Sequence, residues 1–264
     1  MRIALLTSTE PRHCYMAHRL ADALDLRLVV REEKGLDTFY EGRGDAEIIA
    51  GHFARLRETE RRFFGTYRWE DLRAEVRTVR RGELSNAAMA EALGAADPEA
   101  VVVFGPGIIR EPLLSALPAG RTLNLHQGLS PYYRGSGTNF WPYLEGRLHC
   151  IGVTVHYLDR GIDTGGIIAH GRPEIEPSDT LHTLGCKTVE VSADLALRVL
   201  KLLHAGHSLP AIPQWEGGRL FQRKDISGGV IERLLALEKS GATAEFLRRR
   251  AAGEIEPIRV VNLD

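Results

Sequence analysis

The stretch TLNLHQGLSPYYRG occupies residues 122–135 and fixes the class of fold that the chain can adopt. Its first part, residues 122–126, predicts a short strand, and the Gly, Ser and Pro that follow end regular structure at once. Asn124 and His126 are two residues apart, so on a strand their side chains point to the same face. Polar side chains at the carboxyl end of a strand are typical of ligand sites in open α/β folds. The stretch therefore predicts both a fold class and the position of a site.

The segments upstream of this stretch predict a mostly parallel sheet. Short apolar runs alternate with segments of helical spacing, and this βαβ order is typical of parallel strands with helices on both faces. The strand candidates are residues 3–6, 26–30, 76–79 and 101–104, and the helix candidates are residues 14–24, 46–64 and 86–93. Gly35, Gly42 and Gly44 punctuate a charged loop ahead of the second helix. The turn after the first strand has no glycine, which argues against a dinucleotide fingerprint.

The segments downstream continue the pattern and then change character. We expect a helix at 138–144, strands at 151–158 and 167–170 with a tight loop between them, and a long helix at 180–203. Gly206 to Pro210 then marks a boundary. We predict one catalytic domain over residues 1–205 and a small C-terminal extension over residues 206–264 that packs on it.

Composition and charge limit the partners of the chain. It has 264 residues, of which 44% are hydrophobic and 26% charged, with a formal net charge of -1. Such a balance gives no general attraction to nucleic acid or to an anionic membrane. Cys14, Cys150 and Cys186 match neither a metal-binding nor a redox spacing. We predict a cytoplasmic protein without a metal, a nucleic-acid partner or a membrane span. Whether it forms a homodimer is left open.

The polar residues of the loop at 159–166 complete a set of groups suited to acyl transfer. Attack on a carbonyl carbon creates an oxyanion, which Asn124 and His126 could stabilise as hydrogen-bond donors. His126 can also carry a proton at neutral pH. Asp163 is the carboxylate that would orient the imidazole and raise its pKa. The three side chains form a coherent catalytic hypothesis.

Four motifs resemble the formyltransferase family in order and spacing. They are the stretch at 124–135, the helix that carries Trp141, the strand residues Gly152–His156, and the loop Leu158–Gly165. That family includes glycinamide ribonucleotide, methionyl-tRNA and sugar N-formyltransferases. The likeness is clear over residues 101–186 and more diffuse towards residue 1.

The resemblance implies a Rossmann-like fold and a folate-dependent N-formyltransferase that takes its formyl group from 10-formyltetrahydrofolate. Asn124, His126 and Asp163 match the catalytic trio of the family. The residues that match the folate-binding positions are Gly107, Ile108, Ile109, His156, Leu158, Asp159, Gly161 and Ile162. Most of those contacts would be made by backbone atoms.

The acceptor of the formyl group is indicated less directly. Ser130 stands where the family usually has leucine, and the candidates for substrate contact are Ser130, Tyr132, Tyr133 and Arg134. We expect a small amine as acceptor, with an amino sugar nucleotide or an amino acid derivative preferred. The alternatives left open are a formyltetrahydrofolate hydrolase, an enzyme like methionyl-tRNA formyltransferase, and a non-catalytic ligand-binding module.

Overall fold

A computed structural model describes residues 1–33 and 42–263, so Gly35 of the predicted charged loop lies outside it. The strands are β1 (Arg2–Ser8), β2 (Asp25–Glu32), β3 (Glu75–Val79), β4 (Ala100–Val103), β5 (Thr122–His126), β6 (Tyr133–Gly135), β7 (Val153–Tyr157), β8 (Ile167–Gly171) and β9 (Arg219–Phe221). The helices are α1 (Pro11–Ala21), α2 (Ala46–Phe64), α3 (Ala87–Ala96), α4 (Leu113–Ala116), α5 (Phe140–Leu144), α6 (Leu181–His204), α7 (Gly228–Lys239) and α8 (Ala242–Ala251).

The main sheet has seven strands in the order β3-β2-β1-β4-β5-β7-β8. The five strands from β3 to β5 run parallel, and β7 and β8 are antiparallel to their neighbours. The predicted α/β class with a mostly parallel, Rossmann-like sheet is confirmed. Parallel strands place their carboxyl ends on one edge of the sheet, and β5 therefore delivers Asn124 and His126 to that edge.

Both faces of the sheet are covered, as strand alternation requires. On β1, Ile3 and Leu5 pack into one buried cluster with Met16 of α1 and Leu200 of α6. Ala4 and Leu6 point the other way, into a second cluster with Met89 and Leu93 of α3. Apolar residues in succession along a strand are expected where helices bury both faces.

A third buried cluster joins the C-terminal extension to the rest of the chain. Ile231 and Leu234 of α7 and Phe246 of α8 share it with Tyr133, Phe221 and Trp141. The ring of Phe221 stacks on that of Trp141 with centroids 4.6 Å apart. β9 also pairs in parallel with β6, residue by residue from Tyr133 opposite Arg219 to Gly135 opposite Phe221. The segment just after β5 is thereby fastened to the extension.

The helices and strands that have a clear local sequence pattern lie where the sequence predicts them. The bounds of α2 and β5 agree with the predicted residues 46–64 and 122–126. The Asn86 side chain caps α3 by accepting a hydrogen bond of 2.9 Å from the backbone N–H of Met89. β6, β9 and α8 were not predicted. Among the residues that the structure describes, no helix combines the length and the apolar character needed to cross a bilayer.

Two buried histidines make the fold sensitive to acid. His52 of α2 and His182 of α6 face each other with ring centroids 4.8 Å apart. Burial, aided by the charge of Arg55, lowers the pKa of His52 to about 3 and that of His182 to about 4. An unfolded histidine takes up a proton near pH 6.5, so protons favour the unfolded chain below that pH.

We predict that the free energy of unfolding falls as the pH drops from about 6.5 towards 4, and that His182→Leu makes the fall shallower by up to about 1.4 kcal/mol per pH unit. Urea unfolding followed by circular dichroism at several pH values measures the two slopes. The exposed His207 gives the control variant His207→Leu, which should keep the wild-type slope. Equal slopes for His182→Leu and wild type would contradict the assignment.

Candidate active site

The carboxylate of Asp163 is the centre of the site. Its Oδ2 lies 3.2 Å from His126 Nδ1 and accepts a hydrogen bond of 3.0 Å from the backbone N–H of Gly135. Its Oδ1 accepts from Asn124 Nδ2 at 3.1 Å. Burial works to raise the pKa of Asp163, but the charge and hydrogen bond of His126 hold it far below its ordinary value. Asp163 is therefore a carboxylate at any physiological pH.

The backbone around Asp163 has to be held in an uncommon shape. Asp163 has a φ of 52°, in the left-handed region that non-glycine residues rarely adopt. Two residues further on, a Cβ at Gly165 would lie 1.8 Å from the carbonyl oxygen of Tyr157, so only glycine fits. Gln214 then fixes the loop, because its Nε2 donates to the carbonyls of Asp163 at 2.7 Å and Gly165 at 3.0 Å.

Both ring nitrogens of His126 face oxygens that can only accept. Nδ1 faces the Asp163 carboxylate, and Nε2 lies 2.9 Å from the carbonyl oxygen of Tyr133. An imidazolium satisfies both contacts, since each nitrogen then donates. Burial and the nearby Arg134 work to lower the pKa of His126, and the Asp163 carboxylate outweighs them, so the net shift is upward. The geometry thus favours a protonated His126.

The amide of Asn124 is held by two partners. Besides Asp163, its Nδ2 lies 3.0 Å from Nε2 of His156. His156 Nδ1 faces the carbonyl oxygen of Tyr157 at 2.8 Å and so carries the ring proton, which leaves Nε2 as an acceptor. His156 Nε2 is 3.8 Å from Asp163 Oδ1, too far for a hydrogen bond. His156 therefore supports Asn124 from a fully buried position.

β6 bonds to the trio along one edge and to the extension along the other. The Tyr133 carbonyl and the Gly135 N–H point to His126 and Asp163. The other edge pairs with β9, where the Tyr132 carbonyl accepts from the Arg219 N–H at 3.1 Å and the Ser136 N–H donates to the Phe221 carbonyl at 2.9 Å. A Cβ at Gly135, whose φ is 89°, would lie 2.2 Å from that same carbonyl oxygen. Sequence reasoning placed residues 132–134 in a substrate loop and missed this strand.

Apart from His156 on β7, the positions that match the folate site lie on the loops after β4 and after β7. Ile108 is 62% exposed and Ile162 is 48% exposed, which is unusual for isoleucine and leaves apolar surface beside the site. An ion pair of 3.3 Å between Arg160 and Glu111 joins the two loops. The side chains of Ile108 and Ile162 thus offer apolar surface to a ligand.

The other folate candidates have mainly structural contacts. Gly107 N–H donates at 2.6 Å to Oε2 of the buried Glu32, and Leu158 N–H donates at 3.0 Å to the Thr122 carbonyl. Asp159 accepts hydrogen bonds from Gly161 N–H and from the Thr164 hydroxyl, so it closes the turn. Ile109 packs against the cluster around α3. These residues shape the loops that carry Ile108 and Ile162.

The four candidates for acceptor contact separate into two groups. Ser130 is 0% exposed and Tyr133 is 1% exposed, with the Tyr133 hydroxyl donating to Glu145 at 2.6 Å. Both side chains are buried, and the Tyr133 ring lies in the cluster with Phe221 and Trp141. Tyr132 bonds through its hydroxyl to the backbone of Arg259, so it anchors the C-terminal segment. Arg134 is the remaining candidate, half-buried beside His126.

Two surface grooves lie elsewhere. They have volumes of about 580 and 590 Å³ and share His149, and their walls come from residues 145–151, 170–175 and the C-terminal segment. Neither groove includes a residue of the trio. We place the chemistry at the trio, because that is where a carboxylate, an imidazole and an amide meet.

The fold and the site define an α/β protein with an acid–base centre at the carboxyl end of a central strand. A family model described as formyl transferase matches residues 50–200, more than half of the chain, and the chain belongs to that family. The resemblance inferred from the sequence is thereby confirmed.

Three similar proteins illustrate the relationship. Methionyl-tRNA formyltransferase from Verminephrobacter eiseniae is 36% identical over 138 residues, which make up 52% of this chain and 42% of that protein. This chain therefore spans less than half the length of that relative. Phosphoribosylglycinamide formyltransferase from Anaplasma phagocytophilum aligns with a TM-score of 0.56 at 16% identity, covering 83% of this chain and 98% of its own.

The third is the formyltransferase PseJ from Anoxybacillus kamchatkensis, solved in complex with UDP-4,6-dideoxy-4-formamido-L-AltNAc and tetrahydrofolate. It aligns with a TM-score of 0.52 at 21% identity, covering 94% of this chain and 97% of its own. At these identities the two solved structures support the fold class alone.

Gln214 gives a test of how the trio is held. Gln214→Met keeps the length of the side chain and removes both donors to the Asp163 loop. We predict that the pKa of His126 falls in this variant, because a loosened loop weakens the contact of Asp163 with the imidazole. Titration of the His126 ring signals by NMR measures it. The exposed Gln222 supplies the control Gln222→Met, and an unchanged His126 pKa in Gln214→Met would refute the positioning role.

Proposed function

We propose that the protein transfers a formyl group from 10-formyltetrahydrofolate to the amine of a small acceptor. The observation that carries the proposal is the hydrogen-bonded trio of Asn124, His126 and Asp163, in a chain of the formyl transferase family. The exposed Ile108 and Ile162 on the loops after β4 and after β7 are suited to the pterin ring of the donor. PseJ, a structural neighbour, was solved with tetrahydrofolate, which supports the same choice of donor.

The reaction needs one bond to form, one to break and one proton to move. The acceptor nitrogen bonds to the formyl carbon, the carbonyl oxygen becomes an oxyanion, and the bond from that carbon to the folate nitrogen then breaks. The nitrogen that attacks must lose a proton and the nitrogen that leaves must gain one. As an imidazolium, His126 would give its proton to the nitrogen that leaves and regain one from the nitrogen that attacks, and Asp163 would keep the ring oriented and stabilise its charge.

The oxyanion must accept a hydrogen bond from a donor that is not already bound to another group. In the structure both hydrogens of Asn124 Nδ2 are engaged by Asp163 and His156, and His126 Nε2 is engaged by the Tyr133 carbonyl. The Tyr133 contact is the easier to release, because a neutral carbonyl acceptor is weaker than a carboxylate. We therefore propose that substrate displaces the Tyr133 carbonyl and that His126 Nε2 then donates to the oxyanion.

Two other functions are alternatives that the same experiment distinguishes. The methionyl-tRNA formyltransferases among the curated relatives favour an aminoacylated tRNA as a second candidate acceptor. A hydrolase that releases formate from the same donor would use the same trio with water as nucleophile.

A screen of amines with 10-formyltetrahydrofolate, following release of tetrahydrofolate, tests the proposal. The panel should include amino sugar nucleotides, amino acid derivatives and methionyl-tRNA. We expect release that depends on one class of small amine. Release of formate at the same rate without any amine would identify a hydrolase, and no turnover with any acceptor would contradict transfer.

Substitutions in the trio give the matching prediction. We expect Asn124→Ala, His126→Ala and Asp163→Asn each to lower kcat by a factor of roughly 10² to 10³, the loss typical of removing one preorganised group. Asn262→Ala and His207→Ala change the same residue types at exposed positions and should leave kcat unchanged. Turnover close to wild type in Asp163→Asn would rule out the role given to that carboxylate.

A further inference from the structure

We propose that the guanidinium of Arg134 binds a carboxylate or phosphate group of a ligand in the active site, within one side-chain length of the reacting carbon. The inference rests on the proposed function and specifies the chemistry of what that site accepts. It concerns a residue whose backbone is fixed by the trio and whose charge has no partner in the described chain.

The position of Arg134 is set by its two neighbours. The residue before it accepts a hydrogen bond from His126, and the residue after it donates one to Asp163. The ring of Tyr133 packs against Phe221, with centroids 5.9 Å apart. Side chains alternate along a strand, so the Arg134 side chain leaves the opposite face of β6 from that aromatic cluster. The positive charge of Arg134 works to lower the pKa of His126.

The charges around the trio do not balance. Arg134 has a fixed positive charge, and the Asp163 carboxylate contacts His126 at 3.2 Å. The Asp163 carboxylate is bonded to Asn124, His126 and Gly135. Within residues 1–33 and 42–263, no carboxylate pairs with Arg134, and its Nε is buried without a hydrogen-bond partner. Burying a cation without an ionic partner costs free energy, and an anionic ligand would offset that cost by pairing with Arg134.

The geometry of guanidinium decides the class of ligand. Its planar fork matches the two oxygens of a carboxylate or a phosphate. Because the backbone of Arg134 lies against the trio, the anionic group must lie only a few bonds from the amine or from the formyl donor. Its two possible sources are an acidic group of the acceptor and the glutamate carboxylates of the folate.

The experiment uses the full chain and three variants. Arg134→Met keeps an apolar stem without the charge, Arg134→Lys keeps the charge without the fork, and Arg121→Met removes an exposed arginine at the start of β5 as the control. The first probe is inorganic phosphate, followed through the NMR signals of the His126 ring. The second is calorimetric binding of tetrahydrofolate and of tetrahydropteroic acid amide, which has neither the glutamate nor a free benzoate carboxylate.

We expect phosphate to shift the His126 signals in wild type and in Arg121→Met, with affinity about 10- to 100-fold weaker in Arg134→Met and an intermediate loss in Arg134→Lys. Unchanged tetrahydrofolate binding in Arg134→Met would assign the anionic group to the acceptor. A loss of about tenfold or more for tetrahydrofolate, with tetrahydropteroic acid amide unaffected, would assign it to the folate.

Equal binding of phosphate and of both folates by wild type and Arg134→Met would overturn the proposal. The phosphate and folate binding experiments need no acceptor amine, so their result does not depend on that of the amine screen. A chain that formylates no amine but binds phosphate through Arg134 would refute the proposed function and retain the anion site.

Discussion

The Asp163 carboxylate is the group on which the site depends. It joins β5, β6 and its own loop through contacts of 3.0 to 3.2 Å, and the loop follows the two strands by more than twenty residues in the sequence. Hydrogen bonds to a charged acceptor contribute about 1.5–3 kcal/mol each, so losing this carboxylate would release all three segments at once. Burial alone would favour its neutral form, and the positive charge of His126 is what keeps it ionised.

This carboxylate also explains why the C-terminal extension matters to the site. Gln214 holds the loop that bears Asp163, and β9 holds the strand that bears Gly135. The extension thus holds both the donor and the acceptor of the hydrogen bond from the Gly135 N–H to the Asp163 carboxylate. It also shares a buried cluster with Tyr133, whose carbonyl covers His126 in this state. Opening the site for an oxyanion therefore involves the junction between β6 and the extension.

The sequence predicted the parts of the molecule that have a local signal. Apolar runs, helical spacing and the Asn86 cap indicated most of the main sheet and its helices, and motif spacing indicated the family. β6 escaped prediction because its three residues are ordered by pairing with β9, more than eighty residues away. Gln214 escaped for the same reason, since no local pattern shows that its amide reaches the Asp163 loop. The burial of Tyr133 was missed with that pairing, because its ring stacks on Phe221 of β9.

The central claim is that Asp163 and His126 act as one unit in formyl transfer, and a double-mutant cycle tests it most directly. The quantity measured is the single-turnover rate with 10-formyltetrahydrofolate for wild type, His126→Ala, Asp163→Asn and the double variant. If the carboxylate acts through the imidazole, the double variant will be about as slow as His126→Ala alone. Losses that multiply, so that the double variant is slower by the product of the two single effects, would contradict the account.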